Sequence, residues 1–155
     1  MEKEVQLWST IDPLQSIVVS SHGDIPEGYT TKPQPTPAHD WDVKKSVWVL
    51  NKTKQAEIDA QAMLAAVDAV KQALQSHIDS VAFGLGFSGG NAVMLYAGFE
   101  NQFKPLAQAF GAWEAGIWVA ANQYMAQVKS GDAPMLMPDE AVAKIPAFGG
   151  ANGTD

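Results

Sequence analysis

The sequence predicts an α+β protein. A small, proline-rich, β-like head covers residues 1–50. A mainly α-helical body with two long antiparallel helices covers 51–148, and a flexible polar tail covers 149–155. Three observations carry that division. Short apolar runs broken by Pro and Gly are confined to the chain before Asn51. From Lys54 to about Phe83 there is neither Gly nor Pro, and Ala, Gln, Leu and Lys dominate. A second apolar periodicity of helical spacing follows Pro105.

In the head, Val5, Leu7 and Ser9 fall on one face of an alternating strand with Trp8 on the other. Ile17-Val18-Val19 and Ser46-Val47-Trp48-Val49-Leu50 are two further strand candidates. Asp12-Pro13 and Pro26-Glu27-Gly28 read as turns between them. Prolines at every second position in Pro33-Gln34-Pro35-Thr36-Pro37 forbid a helix and favour an extended, polyproline-like run. Such a run serves as a stiff linker, an edge strand or a docking segment. Trp41 and Trp48 flank the last strand and are placed to anchor the run against it.

In the body, Leu64, Val67, Leu74, Ile78 and Val81 share a helical stripe that Lys71 interrupts. It is too short for a long coiled coil, so packing on a second helix is expected. Gly84, Gly86 and Gly89-Gly90 end the first helix and form a loop. A short helical piece is expected over 91–98. Pro105 suits the first turn of the second long helix. Its aromatic face is Leu106, Phe110, Trp113, Ile117, Val119 or Ala120, Tyr124 and Val128. Gln108, Gly111, Glu114, Gln123 and Gln127 make the opposite face. Lys129 and Gly131 mark its end, and Pro138-Asp139-Glu140 opens a last short helix to Lys144. The aromatic face is to be closed by the short helices, by the head or by another copy of the chain.

Composition limits the function classes. A chain of 155 residues buries enough surface to fold without metal or disulfide, and it has no cysteine. The formal charge of −7 and ten scattered basic residues speak against nucleic acid or an anionic membrane as partner. The charged Met-Glu-Lys-Glu start leads into no apolar stretch, so a soluble protein made in the cytosol is expected.

No strong catalytic pattern emerges. His22, His39 and His77 lie far apart and are expected on the surface or in loops, and His39, Asp40 and Asp42 read as turn chemistry. Gly84 to Gly90 lacks the Gly-Lys-Ser/Thr ending of a phosphate loop. Gly86, Ser88 and Gly90 meet the Gly-x-Ser-x-Gly pattern literally, but a reactive serine needs a strand-to-helix turn, and a helix is expected before it. A serine hydrolase at Ser88 is therefore the remote alternative. No catalytic residue, cofactor or metal is expected. Of the five tryptophans, Trp113 belongs to the core stripe. Trp8, Trp41, Trp48 and Trp118 are the candidate partner contacts, tryptophan being enriched at binding hot spots. For Trp118, core packing is the competing expectation, and carbohydrate stacking is a weaker alternative for Trp41 and Trp48.

Several motifs occur in a familiar order. Ile25-Pro26-Glu27-Gly28-Tyr29-Thr30-Thr31-Lys32-Pro33-Gln34-Pro35, Trp41-Asp42 and Val47-Trp48-Val49-Leu50 resemble the N-terminal segment of small tail fibre assembly and tail fibre proteins of bacteriophages. His77 to Ala82, Gly84-Leu85-Gly86-Phe87, Phe103, Ala112 to Trp118, Val128-Lys129-Ser130-Gly131, Pro138 and Ile145 to Phe148 resemble the helical domain that follows in them. The likeness runs from about residue 24 to 148, and its weight lies in order and spacing, each motif being degenerate. Trp113-Glu114-Ala115 stands where that family commonly has Trp-Arg-Asp, so an Arg-dependent contact is not expected here. The resemblance implies a chaperone-like protein that binds a tail fibre or another tail protein, in the host cell cytoplasm during assembly. The alternative is a permanent virion component of the tail. It implies no active site, and self-association is admitted.

Overall fold

The computed structural model describes residues 4–12, 14–20 and 24–150. His22, the proline of the Asp12-Pro13 turn and the tail beyond Gly150 lie outside the described residues. The chain divides into two compact units, Met1–Met63 and Leu64–Asp155. The division falls inside a continuous helix.

In the first unit, β1 (Glu4–Ser9) is the centre of a three-stranded antiparallel sheet between β2 (Ser16–Ser20) and β3 (Tyr29–Thr30). Its alternation is the expected one: Leu7 and Ser9 are buried, and Trp8 is half-buried. Leu7 faces Ile17 across the ladder, and Val5 faces Val19. The Ser9 hydroxyl accepts hydrogen bonds from the Ile11 and Asp12 amides at 3.2 and 3.0 Å, which satisfies a polar atom in a buried residue. The Pro26 turn closes through Tyr29 N–H to Pro26 O at 3.1 Å.

A second antiparallel sheet pairs β4 (His39–Asp42) with β5 (Val47–Leu50). This corrects the turn expected at His39, Asp40 and Asp42. The polar residues belong to a strand because β5 supplies a complete pairing register, with Trp41 opposite Trp48. Turn chemistry survives at the strand end, where the Asp42 carboxylate accepts from the Lys44 and Lys45 amides at 3.0 and 3.1 Å.

Helix α1 spans Lys52–Gly84, two residues ahead of the expected start. Asn51 accounts for that extension: its side-chain oxygen accepts from the Thr53 and Lys54 amides at 3.0 and 3.1 Å, the N-cap arrangement. Then come α2 (Gly90–Met94), shorter than the expected piece over 91–98, α3 (Lys104–Ser130) and α4 (Pro138–Ala143). Gly131 ends α3 in the left-handed conformation, with φ 83°.

The body core joins Val70, Leu74, Ile78 and Ala82 of α1 with Val93 of α2, Ala107, Phe110 and Ile117 of α3, and Ala141 of α4. The stripe on α1 is thus displaced from the expected one. Leu64 is 66% exposed and lies outside the core. Val119 is likewise 56% exposed and leaves the α3 stripe. Gly111, expected on an outward face, lies under Met94: a Cβ there would come within 2.7 Å of Met94 Cε. Gly90 is a second close approach, where a Cβ would meet Ile78 Cγ2 at 3.2 Å and Phe110 Cε1 at 3.5 Å. Glycine at 90 lets α2 seat directly on the α1 and α3 side chains. Among the described residues, no helix is long and apolar enough to cross a membrane.

Candidate functional site

Each unit carries a concave surface. In the first unit, a cleft of about 360 Å³ is lined by Ile11, Leu14, Pro37, Trp41 and Trp48, with Asp40 and Lys54 contributing charge. The β4–β5 ladder positions its aromatic wall. The two indoles meet edge to face, with centroids 5.2 Å apart. Trp48 Nε1–H donates to Lys32 O at 2.8 Å, and Gln34 Nε2 donates to His39 O at 2.6 Å. These bonds tie the segment leading into the proline-rich run, and the run itself, to the hairpin. Ile11 and Leu14, on the β1–β2 loop, are 87% and 96% exposed. Asp40 is hydrogen-bonded by Lys54 and Asn51, which hold its carboxyl below the ordinary carboxylate range.

The second unit contains a larger, apolar groove of about 450 Å³. Its walls come from Val67, Val70 and Leu74 of α1, from α3 between Ala112 and Met125, and from the segment Met135–Pro146. Only two lining residues are charged, Lys71 and Lys144, and both are basic. The C-terminal segment is held by Trp113 Nε1–H donating to Pro146 O at 2.8 Å, with Phe148 edge to face with Phe110 and tilted against Trp113. Tyr124 OH donates to Pro134 O at 3.0 Å at the other end.

The candidate contact residues fall at different places. Trp41 and Trp48 come together in the cleft of the first unit. Trp8, in the same unit, is half-buried opposite Ser16 and Thr30 and does not line that cleft. Trp118 is half-buried, packing against the body core while also lining the groove. His77, expected on the surface or in a loop, instead sits on α1 against Trp113, with ring centroids 6.3 Å apart, because both face the helix–helix seam. His39 hydrogen-bonds Thr36 Oγ1 through Nδ1 at 2.9 Å. Ser88 is exposed in a Gly-rich turn that leaves α1 and enters α2. Helix α1, not a strand, leads directly into it. The Gly90 amide there donates to the Asp79 carboxylate at 2.8 Å. Among the described residues, no group of three or more His, Cys, Asp or Glu is arranged to hold a metal ion.

The sequence reading missed Ile11 and Leu14 as cleft residues and the C-terminal segment as a wall. Their signals were available: two large apolar residues in a turn, and Met135, Leu136, Ile145 and Phe148 around a short helix. Comparison with protein-family models, curated proteins and solved structures finds no match to this chain.

Proposed function

We propose that the chain is a non-catalytic protein of a bacteriophage tail that binds the tail fibre and assists its assembly. The observation that carries this reading is the exposed aromatic cleft of the first unit. Trp41, Trp48, Ile11 and Leu14 form an apolar contact surface on a sheet-built head, and the two tryptophans lie within the stretch whose motifs resemble tail fibre assembly proteins. Fibre chains form long-range strand pairings slowly and expose sticky edges meanwhile, so a protein that covers such edges raises the yield of assembled fibre. Work of this kind belongs in the host cytoplasm before the particle is complete.

The body proposed alongside has α1 and α3 running antiparallel. Ile78 and Phe110 both lie close to Gly90, while Val67 and Tyr124 line one groove, which supports that direction. A permanent place in the tail is the second reading. The N-terminal half of α1, where no residue from Lys52 to Ala69 is buried, favours it.

Co-expression with the fibre tests the main proposal. Wild-type chain is expected to raise assembled fibre and to co-purify with it, and Trp41→Ala to lose most of that binding while keeping its thermal transition. Fibre that assembles equally well without the chain overturns the proposal. Quantitative mass spectrometry separates the two readings: abundance in infected-cell lysate with absence from particles identifies a chaperone, and several copies per particle identify a tail component.

A further inference from the structure

We infer that the groove of the second unit binds a free long-chain carboxylate, with its alkyl tail along the apolar walls and its anionic head at Lys71 and Lys144. Every lining residue belongs to the second unit, and none is shared with the tryptophan cleft. The volume of about 450 Å³ falls in the ~300–1,000 Å³ range of small-ligand sites, which are apolar with a few convergent polar groups. The walls already satisfy two of the polar tips. Trp113 Nε1–H donates to Pro146 O, and the Tyr124 hydroxyl donates to Pro134 O. The half-buried Trp118, Met125, Met135 and Leu136 offer apolar surface to a tail. Buried Val70, Leu74 and Ile117 keep their place in the core.

The remaining polar side chains select the head. They are Lys71, Lys144, Trp118 and Asn122. Lysine and the indole N–H donate and cannot accept, so Asn122 alone brings a side-chain acceptor. Among the described residues, no carboxylate lines the groove. Acidic neighbours do exist in the sequence: Asp68 precedes Lys71, Asp139 and Glu140 precede Lys144, and Glu114 lies on α3. None of them pairs with either lysine, since the ion pairs among the described residues use Lys45, Lys54 and Lys104. Glu140 instead accepts from the Met137 amide at 2.9 Å. Both lysines are exposed, the setting in which the stem lines an apolar wall and the ammonium stays in water. A carboxylate, which only accepts, takes charge-assisted bonds from such groups.

Isothermal titration of the full chain with dodecanoate, below its micelle concentration, tests the inference. Dodecyltrimethylammonium is the control that keeps the tail and reverses the head. At a net charge of −7 the molecule as a whole attracts the cation, so preference for the anion reports the groove. One dodecanoate is expected per chain, bound about tenfold more tightly than the cation. Decanoate, two methylenes shorter, is expected to bind about tenfold more weakly than dodecanoate. Gly116 lines the groove, and a Cβ there would meet nothing within 4 Å. Leucine is also the better helix former, so Gly116→Leu should fill the groove of a folded chain and abolish binding. Lys71→Gln and Lys144→Gln should each weaken dodecanoate about threefold to fivefold without weakening the cation. Circular dichroism confirms the fold of each variant. Absence of saturable dodecanoate binding overturns the inference. So does a cation bound as tightly as the anion, or a folded Gly116→Leu chain that binds undiminished. A wild-type chain that takes no dodecanoate and sediments at twice its 16.6 kDa mass overturns it in favour of a second copy in the groove.

Discussion

The two halves of α1 differ in composition, and still more in surroundings. From Lys52 to Ala69 no residue is buried, while from Val70 to Gly84 every fourth residue, Val70, Leu74, Ile78 and Ala82, enters the core. Neither half has Pro, and Gly appears only at the last residue; the first half holds six of the helix's eight alanines, so helix propensity favours the half that is not buried. What separates them is the presence of something to pack against. A helix that continues for several turns past its own core is stabilised locally by propensity and its cap.

That comparison can be broken at several points. The largest effect is expected in the buried half's environment. Phe110→Ala removes the largest fully buried side chain, which packs with Ile78 beyond Gly90, and should cost about 3–5 kcal/mol in urea unfolding. A loss below ~1 kcal/mol would mean that the α1–α3 core is not what holds the body. Gly90→Val overfills the same junction and should cost about 1–3 kcal/mol. In the other half, Asn51→Ala removes the cap and should cost about 1 kcal/mol, read as earlier loss of helix signal on heating. Leu64→Ala should change monomer stability by less than about 0.5 kcal/mol, measured at concentrations where the chain is monomeric. A large loss there would place Leu64 in a core and erase the difference between the halves.

The smallest effect concerns pH. Asp40 is held below its ordinary range by hydrogen bonds from Lys54 and Asn51, so its contribution to stability is present above its unfolded value and fades as pH falls through its folded one. Lys54→Met should therefore flatten the loss of stability of the first unit below about pH 4. An unchanged acid limb would show that the pair contributes nothing, the common outcome for exposed ion pairs.

Much of this architecture was legible in local signals. The alternation of Val5, Leu7 and Ser9 set the inward face of β1, because a strand's side-chain period is two whatever lies around it. Pro105, Gly131 and Pro138 marked the ends of α3 and the start of α4 through backbone geometry alone. Strand β4 was not legible. His39-Asp40-Trp41-Asp42 has the composition of a turn, and only pairing with Val47–Leu50 makes it a strand.

The candidate surfaces divide in the same way. Trp41 and Trp48 could be singled out as tryptophans near one strand, but their edge-to-face contact and the convergence of Ile11 and Leu14 on them depend on how two loops fold together. The groove was less legible still, since its walls come from three segments separated by dozens of residues.

By itself, the sequence determined the ends of α3, the start of α4 and the inward face of β1, that the net charge is acidic, and that a long α1 would form. These follow from per-residue dihedral preference, charge and capping, which act over a few residues. Only the tertiary structure decided which part of the α1 stripe is buried, that Gly111 and Gly90 are points of close approach, and that the C-terminal segment closes the body. Those outcomes depend on contacts between residues distant in the chain, and burial is a property of the neighbours as much as of the residue.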